Sequence, residues 1–292
     1  MLKKIIAQDP LVTVISAKGG TGKTTASLLL GLELAARKKP VLHVDYDFTS
    51  PMINAKAGLE TSYEYSIAAL LQGEKTFNNI FLKKETGNRY VLGTAEFPIQ
   101  EAGSNQAYLS PLIQGLIQRP QGYAIADLSA GNYSYTQRFA LLGDVLLVVV
   151  QLDEEQIFLN SLRQIKLLLN DYHLSRSANH FPQVILVGNQ EKTFGAFNAQ
   201  KAWDYYEQKA KDNDWYEHLG RSALIAGAVG LPSLSENIGD SLRKDRIPKK
   251  LEKPIQKLAD VLLKIPAAAI STQERYTRVV ATYEQREFKS KK

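Results

Sequence analysis

The chain has 292 residues, 44% hydrophobic and 23% charged, enough to bury a large core in one α/β domain. It carries no cysteine, which excludes disulfides, thiolate metal sites and a cysteine nucleophile, and no apolar run reaches the roughly 18 residues of a membrane-spanning helix. Its net charge of +6 is concentrated in the C-terminal quarter, and the few residues ahead of the first apolar run leave no room for a signal peptide, so a cytoplasmic protein is expected.

The first apolar run, 11–16, is β-branched and reads as a strand, and 24–38 reads as a helix. Between them stands Lys18-Gly-Gly-Thr-Gly-Lys-Thr-Thr25. Glycines at Gly19, Gly20 and Gly22 let backbone N–H groups converge on an anion, with Thr21 and Thr25 in the same cradle. Lys23 stands where the loop enters the helix and can reach the β- and γ-phosphates, while Thr24 offers a hydroxyl to Mg²⁺. Strand, glycine loop and helix form the setting this phosphate loop demands. Lys18 is a second lysine that the ordinary pattern does not require.

The next strand, 41–45, ends in Asp45 and Asp47, two carboxylates on one face at the ligand-binding end of a parallel sheet. They can hold Mg²⁺ through water and orient an attacking water, or else cap a turn or helix. A helix is expected over 65–72, a strand over 89–93 and a helix over 107–118. The strand 122–127 ends in Asp127, a source of support for the magnesium, and Ser129-Ala-Gly131 follows it, able to approach and leave a γ-phosphate. Helices at 133–142 and 154–170 flank a continuous apolar strand at 145–150.

The strand 183–187 leads to Asn189, which carries the donor and acceptor that an adenine edge needs or simply caps a turn. Residues 190–220 form a long aromatic stretch with a helix over 198–211, and further elements are expected at 222–226 and 249–264. Residues 241–257 hold seven basic side chains against two acidic ones, a tract that can follow DNA phosphates or simply be solvated. In the tail, Tyr276, Val279, Val280 and Tyr283 share one helical face, a weak interfacial helix for a membrane surface. This alternation predicts an α/β chain: a doubly wound, mostly parallel sheet with helices on both faces over 1–265, then a basic amphipathic segment over 266–292.

The loop resembles the deviant Walker A loop of the MinD/ParA family of ATPases, in which the extra lysine reaches a dimer partner's nucleotide. The segment Asp45-Tyr-Asp47 is similar to that family's second motif, although Phe48 replaces its usual proline. The segment Asp127-Leu-Ser-Ala-Gly131 is similar to the switch of its MinD and FlhG members. The resemblance implies a P-loop NTPase fold of the SIMIBI type and an ATP-sandwiched homodimer. It implies Lys18 acting in trans, Lys23 acting in cis, Asp47 orienting water, Asp45 and Asp127 near the metal with Thr24, and Asn189 at the base. ATP and Mg²⁺ are the implied cofactors, and no guanine-recognition motif appears. Slow hydrolysis would then time attachment to DNA (241–257) or membrane (273–292) and release by a stimulating protein partner, with the ATP form at the nucleoid or membrane. The same fold also serves metabolic ATP-dependent ligases and could serve a nucleotide-gated scaffold. The absence of cysteine excludes the cluster chemistry of nitrogenase iron protein and Mrp-type carriers.

Overall fold

The computed structural model describes residues 9–93, 106–117, 119, 122–131, 136, 139–140, 142–151, 182–191, 201, 204, 208, 225–232 and 238–265. The strands are β1 (Leu11–Ile15), β2 (Val41–Tyr46), β3 (Leu82–Lys83), β4 (Arg89–Val91), β5 (Tyr123–Leu128), β6 (Val145–Gln151), β7 (Gln183–Glu191) and β8 (Ile225–Pro232). They form one sheet in the order β3-β4-β2-β5-β1-β6-β7-β8, parallel throughout except for the β3–β4 pair. The described helices are α1 (Lys23–Ala36), α2 (Ile53–Ala57), α3 (Ile67–Leu71), α4 (Gln106–Ile117), α5 (Ile238–Arg243) and α6 (Lys249–Leu263).

Strands buried on both faces need no polar alternation, and β1, β2, β5 and β6 are inside along nearly their whole length. Alternate residues still choose different partners. Val12, Val14, Ile125 and Leu147 pack with Leu28, Leu29 and Leu30 of α1 and with Leu251, Ile255 and Leu258 of α6. On the opposite face, Tyr46 meets Phe139 at 4.4 Å between ring centroids and donates its hydroxyl to the Leu112 carbonyl of α4. Helices therefore cover both faces, as the alternation of elements predicts.

Within this core His43 of β2 stacks on Tyr90 of β4 at 5.0 Å and faces Gly31, where a Cβ would come within 2.0 Å of its ring. Burial drives its pKa down to about 3, so it is a neutral packing group.

Two expectations need correction. The strand expected over 222–226 is observed at Ile225–Pro232, and the helix expected over 65–72 is a 3-10 turn at Tyr63–Tyr65 followed by α3. Four short elements were not foreseen: β3, α2, α5 and a 3-10 turn at Phe77–Asn79. The helix at 154–170, most of 133–142 and 198–211, the aromatic stretch and the tail at 266–292 lie outside the described residues. Among the described residues no helix is long and apolar enough to cross a membrane.

Candidate nucleotide site

Strand β1 lies between β5 and β6, so chain connections leave it in both directions and a crevice opens beyond its carboxyl end. The loop after β1 forms the floor of that crevice. Gly20 and Gly22 adopt φ of 79° and 96°, a region that other residues enter only at a cost. A Cβ at Gly22 would also lie 2.3 Å from the Asn189 side-chain nitrogen. Helix α1 begins at Lys23 with no side-chain cap and no acidic residue in its first turn. Its first N–H groups and the positive end of its dipole are therefore available to an anion.

A cavity of about 460 Å³ stands over this loop. Gly19, Gly20, Gly22, Lys23, Thr24 and Thr25 line it from below, and Asp47, Thr49, Ser50, Met52 and Lys56 line it from the β2 side. Asn189, Leu231, Pro232, Ile238 and Leu251 supply a largely apolar wall from β7, β8, α5 and α6. A charged floor and an apolar wall suit a ligand with a phosphate chain at one end and a flat base at the other.

The two loop lysines have different settings. Lys23 is only 6% exposed, and its charge acts on the buried Asp127. Lys18 is exposed and does not line the cavity. The Ser16 hydroxyl donates to the Lys18 carbonyl, and the Ser16 carbonyl accepts the Gly131 N–H at 3.0 Å, joining the loop to the segment after β5.

Asp127 is completely buried. The Thr24 hydroxyl donates to its Oδ2 at 2.5 Å, while its Oδ1 has no hydrogen-bond partner among the described residues. Burial raises its pKa to about 6 against the opposing pull of Lys23 and the Thr24 hydroxyl. Among the described residues no three carboxylate or imidazole side chains form a ready-made metal cage. Magnesium does not need one, because it is commonly held by one or two protein oxygens together with phosphates and water. The Thr24 hydroxyl beside an unpaired buried carboxylate oxygen fits that requirement.

Asp45 is held by backbone donors. Its Oδ1 accepts the Asp47 N–H at 3.1 Å, and its Oδ2 accepts the N–H groups of Met52 at 3.0 Å and Ile53 at 2.9 Å. Both oxygens thus serve backbone donors, two of them at the start of α2, and Asp45 is absent from the cavity lining. Burial, and then the neighbouring charge of Asp127, raise its pKa. In this structure it serves as a helix cap, with three backbone N–H groups on its two oxygens.

Asp47 does line the cavity. Its Oδ1 takes four donors: the Thr49 N–H and hydroxyl, the Ser50 N–H and the Ser129 hydroxyl. Those bonds fix the carboxylate and draw the segment after β5 towards it. Asn189 also reaches the site, where its Nδ2 donates to the Thr21 carbonyl at 2.7 Å. Part of the amide expected at the base therefore holds the loop.

Sequence reasoning missed Lys56, carried on α2, and the apolar wall of Leu231, Pro232, Ile238 and Leu251. One signal was present for α2: Ile53-Asn-Ala-Lys-Ala-Gly58 ends in a glycine, which caps the helix at φ 66°.

The basic residues expected over 241–257 are exposed. Helix α6 buries Leu251, Ile255, Leu258 and Leu262, which leaves Lys249, Lys250, Lys253 and Lys257 on its exposed side. Lys244 and Arg246 stand just before it, whereas Arg243 pairs with Asp240 and packs on Gly58.

A family model described as an AAA domain matches residues 10–154, which contain the loop, both carboxylate strands and the segment after β5. The septum site-determining protein MinD of Buchnera aphidicola is 29% identical over 122 residues, 41% of this chain and 45% of that protein. The chain thus spans about half the length of the curated relatives it matches. Among solved structures, McdA of Cyanothece in an ATP complex superposes with a TM-score of 0.64 at 15% identity, covering 89% of this chain and 98% of that one. A plasmid partition protein of Borrelia burgdorferi bound to AMPPNP gives a TM-score of 0.58 at 16% identity, covering 88% and 98%. At such identities the likeness establishes the fold, a mostly parallel P-loop sheet. With the two-lysine loop at the head of α1 and the sequence match to MinD, the chain is similar to the MinD/ParA family of P-loop ATPases.

Proposed function

We propose that this chain is a magnesium-dependent ATPase that dimerises around ATP and uses slow hydrolysis to time the positioning of cellular cargo. The observation that carries this reading is the division between its loop lysines. Lys23 is buried over the cavity floor, while Lys18 is exposed and off the cavity wall, where a second copy can receive it.

In this reading Lys23 and the first N–H groups of α1 hold the phosphates, and Thr24 with Asp127 would hold the magnesium. Bound magnesium would neutralise phosphate charge. Asp47 orients the attacking water and passes its protons towards solvent, and the partner's Lys18 delivers positive charge where it develops on the phosphate. The base lies along Leu231, Pro232 and Leu251 with Asn189 at its edge. The test is light scattering after size-exclusion chromatography, in ADP and in a non-hydrolysable ATP analogue. Wild type is expected to become dimeric only in the analogue, and Lys18→Ala to remain monomeric while still binding nucleotide. A wild type that stays monomeric in the analogue favours a metabolic ATP-dependent enzyme of the same fold.

The exposed basic residues of and beside α6 support DNA as the surface bound by the dimer in the cytoplasm, since two weak patches acting together gain avidity. Sequence-independent DNA binding is expected to require ATP and to fall steeply between low and physiological salt. Reversing the charge of Lys244, Arg246 and Lys253 should eliminate it. Liposome co-sedimentation that depends on residues 273–292 and ignores those changes would instead assign the dimer to membranes. Release from either surface is assigned to a protein partner that stimulates hydrolysis.

A further inference from the structure

Three charged side chains line the nucleotide cavity among the described residues, and one of them, Lys56, belongs to no motif of the sequence. A lysine on a short surface helix ordinarily extends into solvent, with its stem on the protein and its ammonium in water. Lys56 instead is half-buried and lies against the phosphate loop. Its Nζ donates to the Thr25 hydroxyl at 3.3 Å, and its charge acts on Asp127 alongside that of Lys23.

Holding α2 in place does not require this ammonium. Asp45 caps the start of the helix, and Lys84 donates to the Ala57 carbonyl at 2.6 Å while pairing with Asp245 at 2.8 Å. An ammonium has three donors, and among the described residues Lys56 places one of them, at long range, on a neutral hydroxyl. Among the described residues no carboxylate pairs directly with Lys56, and the glycine loop beside it is built to receive an anion.

We propose that Lys56 is a further phosphate-binding residue of the site, a second cation supplied in cis from α2 to the phosphate chain of a nucleoside di- or triphosphate. The proposal rests on the reading of this cavity as a nucleotide site. It gives Asp45 a purpose: by capping α2, that carboxylate positions the helix that brings Lys56 to the loop.

The experiment is calorimetric titration of wild type, Lys56→Gln and Lys56→Arg with MgADP and with a non-hydrolysable MgATP analogue, together with the melting temperature of each unliganded protein. Lys56→Gln is expected to weaken both nucleotides at least tenfold while leaving the unliganded melting temperature unchanged, and Lys56→Arg to recover most of the loss. A loss confined to the ATP analogue also supports the proposal and places the contact at the terminal phosphate. Unchanged affinities overturn it, as does a lower unliganded melting temperature without any loss of affinity, which would make Lys56 a prop for α2. A wild type that binds neither nucleotide overturns the nucleotide site itself, a result distinct from a failure confined to Lys56.

Discussion

Lys23→Ala is expected to abolish ATP binding measured by calorimetry. Lys23 is the lysine within the loop whose charge is buried at the cavity floor, and Asp127 beneath it is balanced by that charge. Truncating one partner of a buried charge pair made on binding, here the ammonium and a phosphate, costs about 2–5 kcal/mol, a loss of affinity of roughly thirtyfold to several thousandfold. Two effects act together. The phosphates lose a cation, and Asp127, relieved of its neighbour, holds its proton more tightly and becomes a poorer partner for magnesium. Thr24→Ala serves as the contrasting variant and should weaken the magnesium-dependent part of binding and turnover while sparing metal-free nucleotide. An unchanged ATP affinity in Lys23→Ala would mean that the loop does not work as a phosphate site.

Asp47→Ala is expected to leave ATP binding intact while slowing hydrolysis at least tenfold, about 1.4 kcal/mol in barrier, so that the protein accumulates as the ATP dimer. The alanine variant also releases the four donors gathered on Oδ1, including the Ser129 hydroxyl. Asp47→Asn separates the two contributions, because it retains an oxygen acceptor for those donors and loses only the charge. If the asparagine variant turns over ATP as wild type does, Asp47 organises the neighbouring loop and another group orients the water.

The β1–loop–α1 unit was readable because each part carries its own local signal: a β-branched run, glycines where φ must be positive, and an apolar helix. The place of Asp127 was readable for the same reason, at the end of an apolar strand. The backbone partners of Asp45 were not, since a carboxylate that caps a helix and one that supports a metal look the same in sequence. What separates them is α2, whose five residues are too short to show a helical period. Without α2 there was also no reason to bring Lys56 to the site. Strand β8 was misplaced because Ile225-Ala-Gly-Ala-Val-Gly-Leu-Pro232 has poor strand propensity, and its pairing along β7 overrides that preference. Asn189 could be placed at a strand end, but its partner, the Thr21 carbonyl, is 168 residues away along the chain.

That distant bond makes positions 22 and 189 a single lock. The amide of Asn189 fills the space that any side chain at Gly22 would need, and the same amide steadies the loop through Thr21. Neither position can be enlarged without the other giving way. An engineer who changes the residue at the end of β7 must therefore redesign the glycine loop at the same time, because a change of letter at 189 is also a change in the shape of the cavity floor.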